Sequence, residues 1–200
     1  VIAVSGVVAE KTGDAKQRYN RVSRTVSHLL AAWNAATGRT DRSLGAALDS
    51  DAHAAERLRA IAHDAATAEF DGAHLSARLD QFLAETTVHI PAAADALDRG
   101  DLAAFGAQVA ASQRWAEQAL GNQVPETVAL VEQARHCGAV AASAFGAGFG
   151  GSVWAMIPQA DAQPFLTRWR ADYLAAFPAH ADRAHFFVTR PGTPAFELTA

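Results

Sequence analysis

Between Ser143 and Ile157 the chain reads SAFGAGFGGSVWAMI, with four glycines in the six positions 146–151 and apolar residues on both sides. No other stretch constrains the fold as strongly. In a helix or a strand each glycine costs roughly 0.5–1 kcal/mol relative to alanine, so the segment is a loop. Its flanks, AVAASAF and SVWAMIP, are short and apolar and read as strands. A tight strand-to-strand turn needs two glycines at most. Four in six positions imply that something approaches the peptide where a Cβ would stand, either an anion on the N–H groups or a neighbouring backbone.

Gly146, Gly148 and Gly151 satisfy the spacing G-x-G-x-x-G. A dinucleotide site needs a helix after that pattern, because the helix N-terminus holds the pyrophosphate. Here Ser152-Val153-Trp154-Ala155-Met156-Ile157 follows, which is another strand. No Gly-Lys-Ser/Thr follows either, so a P-loop is excluded.

The opening VIAVSGVVAE is rich in β-branched residues and reads as a strand, with no charged segment before it of the kind a secretory signal carries. A chain that opens inside a core strand reads as a piece of a longer protein. A helix is predicted from Asp14 to Ala36, ending at Gly38, with Tyr19, Val22, Val26, Leu29, Leu30 and Trp33 along one face. A short helix covers 44–48. Ser50 is placed to cap a helix over 51–70, with Leu58, Ile61, Ala62 and Ala65 as its stripe and Gly72 as its break. Leu75, Leu79, Phe82 and Leu83 define a helix to about Val88, and Pro91 opens another that Gly100 stops. Asp101 caps the next, with Leu102, Phe105 and Val109 inward. Pro125 opens one that ends at Gly138, and Asp161 caps the last, ended by Pro178. AHFFVTR is a final strand. The order strand, many helices, two strands, helix, strand predicts an α+β fold, mostly helical, with a small antiparallel or mixed sheet.

Half the residues are apolar and 19% are charged, enough apolar surface for a core in a chain of 200 residues. A net charge of −4 gives no pull toward nucleic acid or an anionic membrane, and no basic stripe interleaves with aromatics. No apolar run reaches 18 residues. The single cysteine, Cys137, allows no internal disulfide and fits the reducing cytoplasm.

Eight histidines raise a metal site, but no H-E-x-x-H occurs and Cys137 has no second cysteine. His53 and His63 lie about three helical turns apart, too far to share an ion. No metal ligands are assigned. Asp64, Glu69 and Asp71 read as a charged helix face, and no serine sits in a G-x-S-x-G elbow.

Several segments together resemble the GHMP kinases, and most closely their galactokinase branch. GAGFGG resembles the third motif of that family. ALDRGDLAAFGAQVAASQ (96–113) is similar to its helix, Gly-Asp turn and AFG helix, and VPETVALVEQAR (124–135) to the Pro-Glu helix that follows. VIAVSGVVAEKTGDAKQRYNRV resembles the strand and helix after the galactokinase catalytic segment. The likeness runs in order along almost the whole chain. It implies that residues 1–200 are the C-terminal domain of such an enzyme, with a ferredoxin-like core and inserted helices.

The resemblance implies phosphoryl transfer from ATP, with Mg²⁺, to a monosaccharide hydroxyl, a reaction carried by positioning and charge stabilisation. The phosphate loop, the Mg²⁺-binding acid and the catalytic Asp belong to the N-terminal half, which the resemblance makes the partner of this chain. This chain is therefore expected to hold no catalytic residue and to be inactive alone. Gly146, Gly148, Phe149, Gly150 and Gly151 match the motif that lines the family's cleft. Tyr19 matches a tyrosine that touches the sugar, although by periodicity alone it is one more position on an apolar helix face.

Four positions depart from the family pattern. Ser143 stands where Arg is expected, Phe145 where Thr is, Ser152 where Cys is, and Gln113 where the His of a Ser-His pair is. Losing a guanidinium removes a fixed charge and five donors. The same fold as a non-catalytic sugar or ATP sensor is therefore the alternative. A helical binding module unrelated to kinases is a third reading, and it requires a helix after Gly151.

Overall fold

The computed structural model describes residues 1–8 and 13–192; the side chains of residues 13–16, 18 and 19 lie outside the description. Four strands form one antiparallel sheet: β1 (Ile2–Val4), β2 (Ala141–Phe145), β3 (Ser152–Met156) and β4 (His185–Phe187), in the spatial order β2-β3-β1-β4. Ser143 faces Trp154 across β2–β3, and Ile2 faces Trp154 on one side and Phe187 on the other. With α8 (Ala162–Ala176) between β3 and β4, and helices α1–α7 between β1 and β2, this is a ferredoxin-like sheet with an expanded first crossover. The α+β expectation holds, and the sheet is wholly antiparallel.

Strand alternation sends Ala3, Ala142, Val153 and Ala155 to one face, where they pack with Leu130, Val131 and Ala134 of α7 (Pro125–His136) and with Phe165, Trp169 and Tyr173 of α8. The two large polar-tipped rings are anchored. Trp169 Nε1 donates to the Leu130 carbonyl at 2.9 Å, and the Tyr173 hydroxyl donates to the Ser5 carbonyl at 2.6 Å, tying α8 to the end of β1. Burial pushes the Tyr173 phenol up to about 12, so it remains a neutral donor at physiological pH.

A second core lies among the helices, with Phe70 of the loop between two of them seated in it. Leu29 and Trp33 of α1 (Gly13–Thr37) meet Leu44 and Ala47 of α2 (Leu44–Leu48). Leu58 and Ala62 of α3 (Ala54–Asp64) and Leu75, Leu79 and Leu83 of α4 (Gly72–Ala84) complete it. This is the face that the three- and four-residue spacing in α1 predicts.

Five expectations need correction. Asp161 stands at the N-cap position of α8, but its side chain makes no capping hydrogen bond. The helix predicted over 51–70 is only α3, because the Asp51 side chain turns back to the His53 N–H at 2.8 Å and Ser50 caps nothing. Its far end stops early, where the Thr67 hydroxyl accepts from the Glu69 and Phe70 N–H groups and seats Phe70 in the core. Gly72 starts α4 rather than merely breaking α3: Asp71 caps it through the His74 N–H, and a Cβ at 72 would lie 2.5 Å from the His63 carbonyl oxygen.

The expected break before Pro91 is absent. A π turn, Glu85–His89, joins α4 to α5 (Ile90–Asp98), and the Ile90 N–H reaches back to the Glu85 carbonyl. The wider turn makes room for a proline ring that would collide with the carbonyl four residues earlier in a regular helix. Finally, Leu102 of α6 (Leu102–Trp115) is 45% exposed, not inward. The helix packs instead through Gly106, where an added Cβ would stand 2.1 Å from the Val140 carbonyl oxygen, and through buried Ala110 and Gln113. Small residues let α6 lie against the chain entering β2.

Candidate functional site

β2 and β3 are joined by the six residues 146–151, and β3, not a helix, follows Gly151. The helical-module reading therefore loses the feature it requires. Every glycine in the loop has positive φ: +86° at Gly146, +87° at Gly148, +124° at Gly150 and +88° at Gly151. Phe149, at +60°, is the one non-glycine residue with positive φ among the described residues. An L side chain held there stores about 1–3 kcal/mol, which persists only where the surroundings over-determine the conformation.

The surroundings do so through three backbone contacts. The Phe149 N–H donates to the Asn122 carbonyl at 2.5 Å. The Gly151 N–H donates to the Val7 carbonyl at 2.9 Å, and the Gly151 carbonyl accepts from the Ser5 N–H at 2.9 Å. Asn122, buried just after the π turn Ala116–Leu120 that extends α6, also donates from Nδ2 to the Ala147 carbonyl at 3.3 Å. These approaches explain the glycines. A Cβ on Gly148 would stand 2.2 Å from the Asn122 carbonyl oxygen, and one on Gly150 would stand 2.8 Å from the Val7 carbonyl oxygen. At Gly146 and Gly151 nothing lies within 4 Å. Of the two approaches that the glycine density implies, a neighbouring backbone is therefore the one realised at Gly148 and Gly150.

Phe149 also lines a cavity of about 330 Å³ together with Val22 and Thr25 of α1, His74 and Arg78 of α4 and the end of the α6 extension. The loop and the helix that carries Tyr19 thus border the same hollow. Tyr19 belongs to that helix, and its side chain lies outside the described residues. Gly146, Gly148, Phe149, Gly150 and Gly151 are brought together by the hairpin. Val7 and Asn122, which hold them, are missed in the sequence. Gly121-Asn122 before a proline signals a loop, but not which strand it touches.

Two of the departures from the family pattern turn out to be partners. The Ser143 hydroxyl donates to Gln113 Oε1 at 2.9 Å, the same oxygen accepts from the Ala144 N–H at 3.0 Å, and Gln113 Nε2 donates to Glu117 at 2.9 Å. Gln113 is 3% exposed. The serine and the glutamine form a closed polar link between α6 and β2. Gln113→Ala leaves the Ala144 N–H without its acceptor and the half-buried Ser143 hydroxyl with only the Ala144 carbonyl, so it is expected to lower stability by about 1–3 kcal/mol. A double-mutant cycle with Ser143→Ala, read by urea denaturation, is expected to give a coupling of at least ~0.5 kcal/mol. Additive losses would show that the pair is incidental. Phe145, the third departure, is 47% exposed beside the loop.

Among the described residues no three histidine, cysteine or acidic side chains come together to hold a metal. His53 and His63 sit exposed beside Glu56 and Asp64. None of the described helices is long and apolar enough to cross a membrane.

Residues 93–175, from α5 through most of α8 and including the whole glycine hairpin, match the family model of the GHMP kinases C terminal. Among solved structures the fold is shared with Lactococcus lactis galactokinase, crystallised as a complex with galactose, at a TM-score of 0.70 and 21% identity. That match covers 98% of this chain and 46% of the galactokinase, so the chain spans about half the length of that relative. No curated protein matches the sequence.

Proposed function

Because this chain carries the C-terminal module of the GHMP kinases in a galactokinase-like fold, we propose that it forms one wall of the cleft of a sugar kinase that transfers the γ-phosphoryl group of ATP to a monosaccharide hydroxyl. In this reading residues 1–200 are one domain, cytoplasmic, and the other half of the protein brings the phosphate loop, the catalytic Asp and the acid for Mg²⁺. ATP with Mg²⁺ supplies the activated phosphoryl group. The part played by this chain is positional: the strained, clamped loop from Gly146 to Gly151 offers a surface with little side chain, and Tyr19 reaches toward the sugar from α1.

One observation carries the reading. The loop is fixed in a left-handed conformation at three backbone contacts while bordering, through Phe149, the hollow next to the helix of Tyr19. Stored strain of this kind concentrates where geometry must be held for function. The sensor alternative draws on Phe145 and Ser143, and the hydrogen bond to Gln113 gives the serine a partner within the fold.

The test is a coupled ADP-release assay on the full-length protein with a panel of neutral monosaccharides. Sugar-dependent turnover is expected. Thermal stabilisation by a sugar with no turnover on any of the panel would replace the kinase by the sensor, and neither response would remove both.

A further inference from the structure

The cavity between α1, α4 and the α6 extension has a charge problem of its own. Arg21, Arg78, His74 and Gln118 line it, with Val22, Thr25, Ala119, Leu120, Gly121 and Phe149. Other arginines of the same core are neutralised: Arg24, one residue-turn from Arg21, binds Glu69, and Arg59 binds Asp80. Arg21 and Arg78 meet no carboxylate among the described residues.

Arg78 is the more deeply placed of the two. One terminal nitrogen donates to Gln81, while its Nε is buried with no partner. Burial draws its proton affinity down. Arg21 is exposed and lies over the Phe70 ring at 5.4 Å, and Phe70 in turn stacks on His74 at 5.7 Å between centroids. The Thr25 hydroxyl is committed to the Arg21 carbonyl at 2.9 Å, so at 3.2 Å from His74 Nε2 it accepts, and that nitrogen's proton is spent on Thr25. Desolvation first, then the fields of Arg21 and Arg78, hold His74 below its ordinary range. Asp71 acts the other way, but its oxygen is committed to the His74 N–H as the helix cap.

Two unneutralised guanidiniums and a side-chain amide line one small hollow beside the His74 ring. Leaving them together without an anion costs desolvation and like-charge repulsion. Guanidiniums match the oxygens of phosphate in bidentate fashion, and about 330 Å³ sits at the small end of ligand sites.

We propose that this cavity is an anion site that binds the phosphate group of a small phosphomonoester, such as a sugar phosphate, gripped by Arg21 and Arg78 with Gln118 as a further donor and His74 alongside. The site takes its charges from α1 and α4 and does not depend on whether the protein turns over ATP.

The full-length protein is titrated calorimetrically with inorganic phosphate, glucose 6-phosphate, glucuronate and ATP, and the His74 ring is followed by NMR. Phosphate is expected to bind in the millimolar range and glucose 6-phosphate more tightly, with the His74 titration moving to higher pH on binding. Arg21→Gln and Arg78→Gln are each expected to weaken both at least 10-fold. Arg24→Gln, which removes the same charge from the same helix, is expected to leave them unchanged. Since Arg21 is exposed, its variant keeps the test valid even where Arg78→Gln fails to fold. Binding of phosphate that survives Arg21→Gln, preference for glucuronate, or ATP as the sole ligand sensitive to these arginines would each overturn the assignment. Failure of the kinase assay alone leaves it standing.

Discussion

Gly148→Ala is expected to cost about 3–5 kcal/mol of stability, or to displace the hairpin loop outright, while Gly146→Ala costs about 1 kcal/mol. Both positions have nearly the same positive φ, +87° and +86°, so the conformational strain of an alanine is common to the two. They differ in what the new methyl meets. At 146 nothing lies within 4 Å, whereas at 148 the Asn122 backbone carbonyl oxygen lies at 2.2 Å and the Cγ and Nδ2 of its side chain at 2.7 Å. Backbone cannot swing aside as the end of a flexible side chain can. Relief requires breaking the Phe149–Asn122 hydrogen bond and lifting the loop from the end of the α6 extension. In a sugar kinase that movement shifts the cleft wall by an ångström or more, and turnover should fall about 100-fold in Gly148→Ala. Urea denaturation and the coupled assay on both variants check this. Equal behaviour of the two alanines would mean that the close approach to Asn122 is not what the glycine serves.

The second large effect is at Trp169. Trp169→Ala is expected to destabilise the fold by about 3–5 kcal/mol. The ring is fully buried, edge-on to Phe186 at 5.6 Å and tilted against Phe165 at 5.3 Å, between the sheet and α8. Its loss empties the centre of the sheet-side core and removes the indole N–H bond that links α8 to the Leu130 carbonyl of α7. Trp169→Phe separates the two contributions, since it restores most of the volume but not the N–H. About 1–3 kcal/mol of the loss should remain in it, the cost of the lost indole hydrogen bond together with imperfect filling. Chemical denaturation of both variants reads the difference. A phenylalanine variant as stable as the parent would show that the indole hydrogen bond contributes nothing.

Much of the architecture is legible in the sequence for a local reason. Helix faces, caps and stops are written within a few residues: the stripe of Val26, Leu29, Leu30 and Trp33 gives α1, Asp101 caps α6 through the Ala104 N–H at 3.0 Å, and Gly38 and Gly100 end helices with positive φ. The places where reading fails are those where a distant group competes with local preference. Leu102 is apolar and correctly spaced for burial, yet Gly106 and Ala110 decide which side of α6 meets the sheet, because only they allow the backbones to approach. Pro91 is a good helix opener, yet the chain runs from α4 into α5 through it by widening one turn.

The candidate site divides in the same way. The glycine run itself states that a side-chain-free loop lies between two strands, and the family likeness says which loop to compare it with. Neither says that Asn122 and Val7 are what it touches, that Ser143 and Gln113 exchange a hydrogen bond, or that Arg21, His74 and Arg78 surround one hollow. Those pairings join residues far apart along the chain, and no short-range period encodes them.

By itself, then, the sequence determined the kind and order of the elements and the existence of a bare, positively twisted hairpin loop, because φ preferences, caps and hydrophobic spacing act within a turn or two. Only the tertiary structure decided which backbone the loop rests on and which charges are left unpaired beside it. Close approach and electrostatic neighbourhood are properties of distance in space, and the folded packing alone sets that distance.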